Sequence, residues 1–196
     1  MLTNVKELNV QDLLSGEDQY IVPNYQRNYA WGAAEIGQLI QDIIDYFRLH
    51  PNKDYYLGTL VVAGGKHANS GNFQTIDGQQ RITTLSILSS LIKNEYSEVD
   101  LSWFGNLNLR YASRDRSTLS MQAVFKGDTM PERRDNNIFA AYDTCRAELK
   151  EKLEFHEISV KDFADYLFKY VKILRVPLPG DTDLNRYFEI MNSRGE

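Results

Sequence analysis

The chain has 196 residues, 42% of them hydrophobic and 12% aromatic, which is enough for one well-filled core, or a core with a helical annex. A formal net charge of -5 excludes a broadly basic nucleic-acid surface and leaves only a local groove open. The single cysteine, Cys145, excludes an internal disulfide and fits a reducing cytoplasm; no apolar run reaches the length of a membrane span, and MLTNVKELNV lacks a signal-peptide pattern.

In chain order, Val5 to Leu14 is predicted to hold a short strand and a short helix, ending near Ser15 and Gly16. Tyr20 to Val22 reads as a strand running into Pro23, whose fixed φ sets the exit. In the next segment, PNYQRNYAW, Tyr25, Tyr29 and Trp31 are interleaved with Gln26, Arg27 and Asn28. One set can face a core while the other faces a cleft. Arg27 on its own also fits an arginine stacked on aromatics and tied to a carboxylate. Ala33 to Leu49 is an amphipathic helix, with Ile36, Leu39, Ile40, Ile43, Ile44 and Phe47 on one stripe. Tyr55 to Ala63 is strand-rich, and Gly58 within it marks a bulge or a close backbone approach. A polar turn over Gly64 to Gly71, containing His67, returns the chain as a hairpin into Phe73 to Asp77.

The stretch FQTIDGQQRITTLSILSSL, Phe73 to Leu91, then turns a strand sharply into a helix at Gly78. Ile82, Leu85, Leu88, Leu91 and Ile92 recur at helical spacing. The first backbone N–H groups of such a helix are unpaired and, with its dipole, form an anion site. Gly78 lets a ligand approach the backbone, and Arg81 in the first turn can grip a phosphate. Asp77 can hold a magnesium ion that a phosphate shares or simply cap the helix. Arg81 equally fits an ion pair with a neighbouring carboxylate. No Walker-type Gly-Lys-Ser/Thr is present.

Beyond Asn94, a strand is predicted within Trp103 to Tyr111 and helices over Ser113 to Phe125, Asn136 to Leu153 and Val160 to Phe168. Strand character returns over Tyr170 to Leu178. Cys145 falls on the apolar stripe of its helix and reads as a small core residue. Arg110, Arg114, Arg116, Arg133 and Arg134 are interrupted by acidic residues and read as a solvated surface. Leu184 to Met191 is a last amphipathic helix ending in Asn192, Ser193, Arg194 and Gly195.

Three segments in order, IVPNYQRNYAW, DGQQRITTL and FEIMNSRG, with LGTLVV between the first two, carry a resemblance. The chain from Ile21 onward resembles the N-terminal domain of GmrSD-type modification-dependent restriction proteins, bacterial defence proteins with a ParB/sulfiredoxin-like fold. The resemblance implies nucleoside-triphosphate binding and hydrolysis, with Mg2+, at the DGQQR segment. Asp77, Gln79, Gln80 and Arg81 would be catalytic, with Asp77 on the metal and Gln79 or Gln80 positioning water or the metal. Gln26, Arg27, Gly78, Arg81, Thr84, Asn192 and Arg194 would surround the nucleotide. Foreign or modified DNA, and a nuclease located outside this chain, would be partners in the full-length protein. A DNA-sensing or docking module, or a ParB-like nuclease, is the alternative reading. Members normally continue past FEIMNSRG, so a longer protein is expected.

His50, His67 and His156 are scattered, and no cysteine pair suits zinc. Sulfiredoxin chemistry is not expected, because Gln79 and Gln80 stand where its phosphate-binding turn has a cysteine. The expected fold is α/β, of mixed α+β character: a small mixed sheet from the first half, flanked by helices. The expected division is a nucleotide-binding core over 1–100 and a mainly helical extension over 101–196.

Overall fold

The computed structural model describes residues 5–16, 18–64, 71–128, 134–180 and 182. The expected final helix with Asn192 and Arg194, and the turn residue His67, lie outside the described residues.

Local signals set most element boundaries. β1 (Lys6–Asn9) passes into α1 (Val10–Leu14), whose N-cap Asn9 accepts from the Asp12 N–H at 2.6 Å. β2 (Gln19–Val22) leads through the PNYQRNYAW loop into α2 (Ala33–Leu49). There Glu35 accepts from the Gly32 N–H at 2.9 Å, half of a capping box. β3 (Tyr55–Gly64) and β4 (Asn72–Asp77) form the expected antiparallel hairpin, and β4 delivers α3 (Gln79–Glu95). The second half holds β5 (Leu109–Tyr111), α4 (Asp115–Lys126), α5 (Asn136–His156), α6 (Val160–Tyr170) and β6 (Val171–Pro177). The strand expected from Trp103 is thus only its last three residues.

The mixed α/β fold expected is the fold observed, with one six-stranded sheet in the order β1-β6-β3-β4-β2-β5. The strands expected in the second half join the sheet of the first half. β6 inserts between β1, antiparallel, and β3, parallel, while β5 forms the far edge beside β2. One hydrophobic cluster runs from Leu8 to Ile173. Arg175 on β6 also reaches across the sheet: its Nη1 donates to the Tyr20 hydroxyl at 2.9 Å and pairs with Asp18.

α3 is the centre of the molecule. The apolar stripe read from its sequence understates it, because residues on every side of α3 are buried, including Thr83, Thr84, Ser86, Ser89 and Ser90. A helix buried all round cannot show a polar face. Its hydroxyls are satisfied largely by the helix itself: Thr84, Ser86 and Ser90 each donate to the carbonyl four residues back, at 2.7–2.9 Å. α4 and α5 pack along it, and Thr83 meets the Tyr111 hydroxyl of β5 at 2.9 Å. Cys145 of α5 is fully buried, and burial pushes its thiol up to about 12, so it is a core side chain and not a nucleophile.

Candidate functional site

The entry to α3 is built by backbone geometry. Gly78 is its N-cap with φ +86°, the left-handed region. A Cβ placed there would lie 2.9 Å from the Thr59 carbonyl oxygen. Glycine is therefore demanded by the close approach of β3, not only by room for a ligand as the sequence alone implied. Asp77 does not cap the helix, because the N-cap is Gly78 and no side chain caps it. Asp77 is exposed at the end of β4, and among the described residues its carboxylate makes no hydrogen bond or ion pair.

Both glutamines of DGQQR are buried and turned toward the loop that precedes α2. Gln80 accepts from the Ala30 N–H at 2.9 Å and donates to the Asn28 carbonyl at 3.0 Å. Gln79 donates to the Arg27 carbonyl at 3.2 Å. Gln26 answers in the other direction, donating to the Ile76 carbonyl at 2.7 Å. The loop has no regular partner strand, so its polar backbone must be paired by side chains. Thr84 completes the joint from behind: it is fully buried and meets the Tyr29 hydroxyl at 2.9 Å. Its place is in the core, beneath the first turn of α3.

Two residues from the second half finish this bracing. Arg114 donates to the Asn24 carbonyl at 2.8 Å, the Arg27 carbonyl at 3.3 Å and the Gln26 carbonyl. Asn137 donates to the Tyr29 carbonyl at 2.9 Å. Arg114 is thus a clamp on the loop and not part of a solvated charged face. Its position in sequence carries no sign of this role, because its partners lie almost ninety residues earlier.

The bracing leaves a pocket of about 250 Å3 between residues 77–81 on one side and Gln26, Arg27 and Trp31 on the other. Two cations face it in different states. Arg81 is half-buried, and its Nη1 donates to the Thr59 carbonyl at 2.9 Å. A Cβ at Gly58 would sit 3.3 Å from that guanidinium. The β3 bulge at Gly58 therefore makes room for Arg81. Arg27 is exposed, and among the described residues its guanidinium makes no hydrogen bond or ion pair; its charge helps hold Glu35 below the ordinary carboxylate range, after the backbone N–H bonds of Gly32 and Glu35. Among the described residues, the buried Gln79 Oε1 has no hydrogen-bond partner. Gln26, Arg27, Asp77, Gly78, Gln79, Gln80 and Arg81, predicted from two distant segments, thus meet at one place. Trp31 also lines it, and the only sequence signal for it was its place among the loop aromatics.

The family model for the GmrSD restriction endonuclease N-terminal domain matches residues 10–196. The chain belongs to that family. Its pocket accordingly lies in a domain of the restriction type of defence protein. None of the curated proteins matches the chain. Among the described residues no helix is long and apolar enough to cross a membrane.

The brace makes a direct prediction. Gln80→Leu keeps the side-chain volume and leaves the Ala30 N–H and Asn28 carbonyl unpaired. Each lost partner at a half-buried site costs about 1 kcal/mol, so about 2 kcal/mol is expected in all. For a chain of this size that lowers the melting temperature by roughly 4–8 °C in a thermal melt. An unchanged melt would show that the glutamine does not hold the loop.

Proposed function

We propose that this domain binds a nucleoside triphosphate with Mg2+ and hydrolyses it slowly. The carrying observation is that Arg27 and Asp77, neither with a hydrogen bond or ion pair among the described residues, line one pocket at the first turn of a buried helix. Buried helix N-termini attract phosphates through their unpaired N–H groups and dipole. Arg27 and Arg81 would add charged forks for the phosphate oxygens. Gln79, whose Oε1 has no hydrogen-bond partner among the described residues, would accept a hydrogen bond from the attacking water and orient it toward the terminal phosphorus. The water oxygen would form the new P–O bond as the bond to the bridging oxygen breaks, its proton would pass to a phosphate oxygen, and inorganic phosphate and the diphosphate would leave. Gln80 is a brace, with both ends of its amide engaged by the loop.

The donor set fits an ion that arrives on the nucleotide. Among the described residues no group of three or more His, Cys, Asp or Glu could form a cage of protein ligands, and Asp77 is the one carboxylate lining the pocket. Mg2+ is commonly held by one or two carboxylates together with substrate phosphates, and it would neutralise phosphate charge. Turnover would license a nuclease in the full-length protein, acting on foreign or modified DNA.

The test is a titration of the protein with ATP, GTP, CTP and UTP, with and without Mg2+, followed by phosphate release. Binding of at least one triphosphate with Mg2+ is expected; no binding of any would remove this reading. Asp77→Asn should weaken binding with Mg2+ by about tenfold and leave metal-free binding within about twofold, because an amide is a poorer ligand for a hard cation. Equal Mg2+ dependence in the two proteins would take Asp77 off the metal.

A further inference from the structure

The loop between β2 and α2 brings Gln26 and Arg27 to the pocket, yet its own backbone does little to hold it: the Gln26 N–H donates to the Pro23 carbonyl at 3.2 Å. A guanidinium from the second half supplies the rest. Arg114 is half-buried at the N-cap of α4 and donates to the carbonyls of Asn24, Gln26 and Arg27. Among the described residues it forms no ion pair with a carboxylate, so its donors go to the loop. Its own footing is firm. The Arg114 carbonyl accepts from the Thr118 N–H at 3.0 Å, and the Thr118 hydroxyl is tied to the Tyr111 backbone of β5 on both sides, at 3.0 Å.

We propose that Arg114 is a positioning residue for the pocket, acting through the Arg27 carbonyl on Arg27 and Gln79 together. The role rests on the triphosphate reading of that pocket. The Arg27 carbonyl is a shared acceptor: Arg114 Nη1 donates to it at 3.3 Å and Gln79 Nε2 at 3.2 Å, which uses both of its lone pairs. Fixing that oxygen fixes the backbone from which the Arg27 side chain leaves. It also anchors one end of the Gln79 amide, whose buried Oε1 has no hydrogen-bond partner among the described residues. Arg114 itself does not line the pocket. The arrangement calls for arginine, because a planar fork can hold several carbonyls in one geometry and the point charge of a lysine on its flexible stem cannot. Without the clamp, the loop would have to be ordered as the ligand binds, and that ordering lowers affinity.

Calorimetric titration of the full chain with Mg2+ and ATP, GTP, CTP or UTP tests this on three variants beside the parent protein. For any triphosphate that binds the parent, Arg114→Ala should weaken binding about tenfold. Arg114→Lys keeps the charge and should still lose about fivefold; it carries the test if the alanine variant does not fold. Arg116 is exposed and makes no hydrogen bond or ion pair among the described residues. Arg116→Ala therefore removes the same charge without touching the loop, and affinity should change less than about twofold. Hydrogen exchange without ligand gives a second readout. In the Arg114 variants the Gln26 and Ala30 amides should exchange about tenfold faster while α3 stays as protected as in the parent, whereas a general loss of stability would raise exchange in α3 as well. Parent affinity in Arg114→Lys, equal losses in Arg114→Ala and Arg116→Ala, or unchanged exchange in the loop would overturn the positioning role and leave the triphosphate reading standing. Failure of every triphosphate to bind the parent protein would overturn both.

Discussion

Arg27→Ala is expected to abolish the thermal stabilisation given by a saturating nucleoside triphosphate. A ligand at about a hundred times its Kd stabilises the native state by about 2.7 kcal/mol. In a chain of this size that is a rise of roughly 5–10 °C, which the mutant should lose. The ligand-free melting temperature should stay within about 2 °C, because surface substitutions of this kind cost little. Arg27 is the sharper probe of the two cations. Its guanidinium makes no hydrogen bond or ion pair among the described residues, whereas Arg81 also ties α3 to the Thr59 carbonyl. Removing Arg81 would therefore mix a structural loss with a binding loss. Equal stabilisation of Arg27→Ala and the parent protein would place the phosphates elsewhere.

Gly78→Ala is expected to be the most destabilising single change at the site. The left-handed conformation at φ +86° costs an alanine about 1–2 kcal/mol. Its methyl would also meet the Thr59 carbonyl at 2.9 Å, a backbone atom held within the β3 strand that cannot swing aside. Together the loss should reach about 3 kcal/mol, or roughly 6–12 °C in melting temperature. Gly78→Asn separates the two causes, because asparagine tolerates the left-handed region but carries the same Cβ. A stable Asn variant would show that the contact with β3 yields and that the dihedral alone demands glycine.

Much of this domain was legible in local pattern. The apolar stripe of α2 predicted its span over Ala33–Leu49, and alternation around a polar turn predicted the β3–β4 hairpin. The strand-glycine-helix junction pointed to the residues that line the pocket, because the backbone groups of a helix entry depend on neighbours in sequence. The FEIMNSRG segment lies outside the described residues.

What tertiary structure alone decided are the partners. Gln79 and Gln80 read as ligand groups; the fold also ties both ends of the Gln80 amide and the Gln79 Nε2 to carbonyls and an N–H about fifty residues earlier. Arg114 read as a surface cation, yet it holds the carbonyls of the Arg27 loop. The insertion of β6 beside β3 and the burial of α3 on all sides were equally out of reach of periodicity. A helical or strand period reports which side of one element is apolar. It carries no information on which distant backbone group a side chain will satisfy, because a loop's unpaired N–H and carbonyl groups accept any donor or acceptor that the fold brings within about 3 Å. Sequence by itself therefore determined the elements and the glycine junction at the α3 entry, and the long-range pairing of the two motif segments determined which of their side chains are engaged within the fold.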